Sequence, residues 1–260
     1  MIFKFGYGKP IIDPYEILRD RGRVLCSERV VLALVPRLFT RLKNALENVK
    51  PVKLSRSLLK SYAGAYRGKE VVAALLFPGS PLAVAALEVL AAMGGRVFVA
   101  IGYVGAINPI LSIGDVLIPT WGLREEGTSF HYVPDASYVP RPDSGLVEAL
   151  YKHAVKLKRK RRIKVVKGGI WTTDAVCRET LDKVTEYSSR EIYGVDMEST
   201  ALMTVANYRN VKLAAIAAVS DELHHDGKWV GGFNTRKLKL TENLVVRASL
   251  DAITDSFSSP

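Results

Sequence analysis

The chain has 260 residues, 48% of them hydrophobic and 24% charged, the balance of an ordinary globular protein with one sizeable core. No apolar stretch approaches the roughly 20 residues of a membrane span, and the N-terminal MIFKFGYGKP has no basic segment leading into a long apolar one, so a membrane protein and a signal peptide are both excluded from the expectation. A net charge of +11 opens the question of nucleic acid, but the densest basic run, KLKRKRRIK (156–164), carries no interleaved aromatics and continues a helical pattern; a solvated helix end is expected there, with a positive field that attracts anionic small molecules.

In chain order, RVVLALV (29–35) and EVVAALLF (70–77) are short β-rich apolar runs and predict buried strands. PLAVAALEVLAAMG (81–94) predicts a helix. RVFVAIG (96–102) and GDVLIPT (114–120) predict two more strands. Residues 121–145 are polar and proline-containing, and predict a long loop of the kind that serves function or subunit contact. SGLVEALYKHAV then has helical periodicity, IKVVKGGIWTT (163–173) predicts a strand, TALMTVANY (200–208) a helix, KLAAIAAVSD (212–221) a strand, and TENLVVRASLDAITDSF (241–257) a final helix. Strands alternating with helices predict an α/β fold over a single domain spanning 1–260: three layers, with helices on both faces of a central, mostly parallel mixed sheet. Small residues crowd the strand ends at Gly79, Gly102, Gly105 and Gly168–Gly169, where backbone comes close to a ligand in such folds. Cys26 and Cys177 are expected to be reduced thiols, and the location cytoplasmic. The chain contains no Gln, a depletion of thermolabile amides that suggests a hot-environment source.

Two stretches carry candidate chemistry. In GVDMESTALMTVANY (194–208), Asp196 suits a helix N-cap and Glu198 complements the helix dipole. A carboxylate at that place can equally accept both hydroxyls of a vicinal diol, with Met197 covering the apolar face of a sugar. In AAVSDE (217–222), Asp221 ends an apolar strand. It either caps the polar segment that follows or faces the ligand crevice, where a partly buried Asp can hold a proton and donate it. His224–His225 alone is a weak metal signal, and no zinc-spaced Cys/His cluster accompanies it, so no metal is expected.

RVFVAIGYVGAINPILSIGDVLIPT, EEGTSFHY, WTTD, GVDMESTAL and AVSDE occur in this order. Together they resemble the nucleoside phosphorylase superfamily, which includes uridine phosphorylase, bacterial-type purine nucleoside phosphorylase and the methylthioadenosine/adenosylhomocysteine nucleosidases. The resemblance runs from about Val30 to the C-terminal helix. It implies cleavage of the bond between ribose and base by phosphate, through an oxocarbenium-like sugar. It implies that Met197 and Glu198 hold the ribose, that Asp221 is the catalytic acid facing the base, and that Arg41, with Arg37, binds phosphate. Arg178 and Thr173 are the implied base-binding residues. No cofactor is implied beyond inorganic phosphate as co-substrate, and the partners are a small-molecule nucleoside and copies of the same chain, as a homodimer or homohexamer. The sequence departs from the family at the phosphate site. Ala100 and Tyr103 stand where an Arg and a Ser or Thr are usual, Arg37 replaces a glycine, and Leu58, with Arg56 nearby, falls on an arginine that reaches into the neighbouring subunit. A water-using nucleosidase and a non-catalytic nucleoside binder therefore stand as alternatives. Asp221, in place of the arginine of uridine-specific members, points to a purine or modified nucleoside.

Overall fold

The computed structural model describes residues 8–19, 27–52, 59–158 and 162–255. Cys26, Arg56 and Leu58 lie outside the described residues. Four strands run parallel and side by side: β4 (Lys69–Leu76), β1 (Arg29–Ala33), β5 (Val97–Ala106) and β9 (Lys212–His225). Val31 faces Ala73 on one side and Val99 on the other, and Val99 faces Ala214. A second parallel group comprises β6 (Val116–Glu125), β7 (Val165–Thr173) and β8 (Ile192–Asp196). The two groups meet at both ends through antiparallel pairs, Val116 with Ala218 and Gly105 with Val195, so β5, β9, β6, β7 and β8 close on one another. The meander β2 (Glu47–Pro51) and β3 (Leu59–Tyr66) extends one edge beside β4, and β10 (Lys228–Gly231) extends the other beside β9.

Strand residues alternate between two buried faces, which is why these runs are apolar without interruption. Val30, Leu32, Val72, Phe98 and Ala215 meet Leu87 and Leu90 of α3 (Ser80–Ala92) and Leu202 and Val205 of α6 (Ser199–Tyr208). Val31, Ala73, Val99 and Ile216 meet α2 (Pro36–Asn44), α4 (Ser144–Lys158) and α7 (Arg236–Asp255) through Leu38, Leu42, Leu150 and Leu250. A third cluster packs Trp171, Ile192 and Val195 against Val184 of α5 (Leu181–Ser188). Each buried Val, Leu or Ile side chain among these contributes about 1.5–3 kcal/mol. The expected three-layer α/β/α architecture is therefore present.

The expected loop over 121–145 differs at its start. Strand β6 continues through Trp121–Glu125 because that run pairs residue by residue with β7, Gly122 opposite Ile170 and Leu123 opposite Trp171. Helix α7 begins five residues before the expected Thr241, where the hydroxyl of Thr235 accepts the amide of Leu238 and caps a first turn too basic to show an apolar stripe. Helix α4 is described as far as Lys158, with Lys156 and Lys158 in its last turn, where a positive charge complements the helix dipole; residues 159–161 of the basic run lie outside the described residues. Among the described residues no helix is long and apolar enough to cross a membrane.

Candidate active site

The C-terminal ends of β4, β1, β5 and β9 lie along one edge of the sheet, and the polar residues of interest gather there. At the entry to α6 the two acids have divided the work. The Asp196 carboxylate accepts the Ser199 amide at 3.1 Å and the Thr172 hydroxyl at 2.7 Å, so it caps the helix and ties it to β7. Glu198 has a non-helical backbone (φ −139°), and its Oε1 accepts the amide of Gly79 at 2.6 Å. Ser80 completes the junction by donating its hydroxyl to the Met197 carbonyl at 2.7 Å. Gly79 reaches this position with φ +95°, a conformation that favours glycine. The loop after β4 is thereby clamped to Met197 and Glu198.

Glu198 is only 7% exposed. Burial, and then the neighbouring charge of Asp196, push its carboxyl up to about 7. Burial raises Asp196 as well, against the hydrogen bonds from Ser199 and Thr172 that favour its ionised form. The Asp174 carboxylate also acts on Glu198, while its Oδ2 accepts the Gly127 amide at 2.8 Å. Beside this junction lies a cavity of about 480 Å³ lined by Pro81, Gly127, Thr128, His131, Tyr132 and Asp174. This gives His131, on a short turn after β6, a place in the cavity wall.

Asp221 stands one strand away. Its carboxylate accepts the Ser220 hydroxyl at 2.5 Å and the indole N–H of Trp229 at 2.8 Å. Gly105 is paired both with Asp221 on β9 and with Val195 on β8. A methyl group at Gly105 would sit 3.2 Å from Asp221 Oδ2 and 3.3 Å from Val195 Cγ1, so the glycine keeps the space between the two strands open. Glu198 and Asp221 do not touch. The segment from Asp174 to Glu179 runs between their neighbourhoods, since Asp174 acts on Glu198 and Glu179 lies beside Asp221. Burial, and then the charge of Asp221, lift the half-buried Glu179 to about 7. Sequence reasoning missed Glu179; the only signal was its position between Arg178 and Thr180, the residues nearest the expected base site. Of the two implied base contacts, Thr173 is buried with its hydroxyl accepting the Ala175 amide at 3.2 Å, and Arg178 is exposed.

The two arginines expected at phosphate have another partner. Arg37 Nη2 and Arg41 Nε lie 2.7 and 2.8 Å from the two oxygens of Glu242, whose side chain is fully buried on α7. The Tyr103 hydroxyl donates to the same carboxylate at 2.5 Å, and Arg41 Nη1 donates to Asn243. Burial and this hydrogen bond to Glu242 hold the Tyr103 phenol well above its ordinary value. Tyr103, in place of a small hydroxyl residue, thus belongs to an internal ion-pair network, and any phosphate using Arg37 and Arg41 must share them with Glu242. Arg37 also donates to the Phe233 carbonyl at 2.8 Å, and the Phe233 ring lies 6.2 Å from Tyr103 and 6.3 Å from Trp229. Through these rings the network adjoins Asp221. Ala100 is buried among apolar side chains on the opposite face.

The family model described as the phosphorylase superfamily matches residues 28–251. The uridine phosphorylase of Salmonella typhimurium is 30% identical over 181 residues, 65% of this chain and 71% of that protein. The DeoD-type purine nucleoside phosphorylase of Brevibacillus brevis is 28% identical over 163 residues, 62% of this chain and 68% of that protein. The crystal structure of uridine phosphorylase from Vibrio fischeri superposes with a TM-score of 0.76 at 21% identity, covering 88% of this chain and 92% of the other.

Proposed function

Because this chain belongs to the phosphorylase superfamily, we propose that it cleaves the N-glycosidic bond of a nucleoside with phosphate, releasing the free base and ribose 1-phosphate. The observation that carries this is the buried Glu198 carboxyl, fixed by the Gly79 amide directly after Met197. A buried, hydrogen-bonded carboxylate suits the paired hydroxyls of a ribose, because charge-assisted hydrogen bonds gain strength where water is excluded. As the sugar becomes oxocarbenium-like, its developing positive charge is favoured by the acids around it. The departing base leaves more easily when protonated. Asp221 passes that proton to the base in this reading, and Glu179, lifted to about 7 by burial and by the charge of Asp221, stands beside it as the proton source. An acidic pair facing the base favours a purine, whose ring nitrogen accepts a proton, over uridine.

A second reading, with water as the attacking group, is favoured by one specific observation: Arg37, Arg41 and Tyr103 all converge on Glu242 rather than on an open anion site. Incubation with inosine, adenosine, guanosine, methylthioadenosine and uridine, with and without phosphate, separates the two. Phosphate-dependent base release with ribose 1-phosphate is expected. Release indifferent to phosphate, with free ribose, overturns phosphorolysis in favour of hydrolysis, and no release from any nucleoside overturns the enzyme in favour of a binding protein. Self-association as a homodimer or homohexamer belongs to the same reading; the exposed apolar side chains of Ile11, Ile12 and Leu82 support it, and sedimentation analysis tests it.

A further inference from the structure

We propose that Glu222, His224 and His225 form a binding site for a divalent transition cation of the zinc class at the hairpin end of β9. One carboxylate oxygen and two imidazole nitrogens lie here within 4.8 Å of one another. Glu222 Oε2 is 2.5 Å from His225 Nε2 and 3.8 Å from His224 Nε2. A tetrahedral ion with bonds of about 2.0–2.1 Å spaces its ligands by about 3.3 Å, so the first distance opens and the second closes by less than about 1 Å. Side-chain rotation supplies that without moving the strand.

Two features distinguish this cluster from an ordinary surface ion pair. Glu222 Oε1 accepts the Ile113 amide at 2.6 Å, which orients the carboxylate and presents Oε2 to the imidazoles, as outer-shell hydrogen bonds do for metal ligands. His224 is only 11% exposed in its side chain, and its Nε2 is buried without a hydrogen-bond partner. Such a nitrogen is costly to leave unmatched, and an ion satisfies it. Consecutive strand residues normally point to opposite faces. Here the pairing of β9 with β10 slips between Lys228 and Val230, and the two imidazole rings come to 4.3 Å between centroids. The ligand set is therefore a product of the irregular hairpin. Two imidazoles and one carboxylate suit zinc, cobalt, nickel or copper rather than magnesium or calcium, and three protein ligands leave a position for water or a small anion.

The site adjoins Asp221 in the chain and lies beside the turn of the hairpin that carries Trp229. An ion there stiffens the end of β9 where β10 pairs with it and so steadies the indole that donates to Asp221. This consequence does not depend on which nucleophile the protein uses.

The test uses the full chain without a histidine tag, stripped with chelator and titrated with Zn²⁺ by calorimetry and with Co²⁺ by its visible absorption. One ion per chain is expected, with Co²⁺ bands of tetrahedral intensity and a higher melting temperature in Zn²⁺. Affinity falls by at least about tenfold, a loss that even outer-shell changes cause, in His225→Asn and in Glu222→Gln. His225 is the more exposed ligand, so His225→Asn keeps the test valid if the buried positions tolerate no change; circular dichroism of each metal-free variant checks that it is folded. Absence of stoichiometric binding, undiminished binding in a folded His225→Asn or Glu222→Gln variant, or a preference for Mg²⁺ or Ca²⁺ over Zn²⁺ overturns the proposal.

Discussion

Replacing Glu198 by Gln removes a charge that the fold holds at a cost. Lifting this carboxyl from its ordinary 4.5 to about 7 makes its ionisation in the folded protein costlier by about 3 kcal/mol. The sign follows from proton binding: between 4.5 and about 7 the folded protein keeps a proton that the unfolded chain has released. Stability contributed by this group is therefore full below 4.5, declines as pH rises toward 7, and is lost above it. Gln is neutral throughout and still offers an oxygen to the Gly79 amide. The variant is expected to match the parent in acid and to exceed it by about 3 kcal/mol at about pH 8, or about 6–12 °C in melting temperature. Urea unfolding of both proteins across this range measures the difference. Turnover moves the other way, falling about ten- to a hundredfold as the charge-assisted bonds to the sugar hydroxyls are lost. A stability difference that stays constant with pH refutes the burial argument, and a fully active Gln variant refutes the role given to Glu198.

Glu242→Ala leaves Arg37, Arg41 and Tyr103 without their shared acceptor and is expected to destabilise by about 3 kcal/mol, seen as a lower urea midpoint. The milder Glu242→Gln relaxes the hold on both arginines, so the KM for phosphate falls if they serve phosphate and is unchanged if they are purely structural. Gly105→Ala brings a methyl group 2.6 Å from Leu223 Cδ1 and 3.2 Å from Asp221 Oδ2. The leucine can turn aside, so the expected cost in thermal unfolding is about 1–2 kcal/mol, while turnover drops further because the space beside Asp221 is filled.

Strands β1, β4, β5 and the first part of β9 were legible because both of their faces are buried, and this writes an unbroken apolar run into the chain. Strands β2 and β8 were not: Glu47–Pro51 is an exposed polar edge, and Ile192–Asp196 is five residues long with a central glycine, held by its neighbours on either side. The two acids of GVDMES were visible as candidates, Asp196 as the cap of α6 and Glu198 as the residue for the sugar. What their spacing does not contain is the partner that fixes Glu198. The approach of Gly79 from a different loop supplies it, while Asp196 accepts the Ser199 amide at the helix start.

Residue order alone determined the layered α/β architecture, the superfamily, and the acids at the strand and helix ends, because periodicity and local motif are properties of neighbouring residues. Tertiary structure alone decided that Arg37 and Arg41 grip Glu242 across 201 to 205 positions of chain, that Glu179 stands beside Asp221, and that Glu222 gathers two histidines. The ionisation of Glu179 depends on burial and on the charge of Asp221, distant in sequence, and both come into being only when the sheet closes.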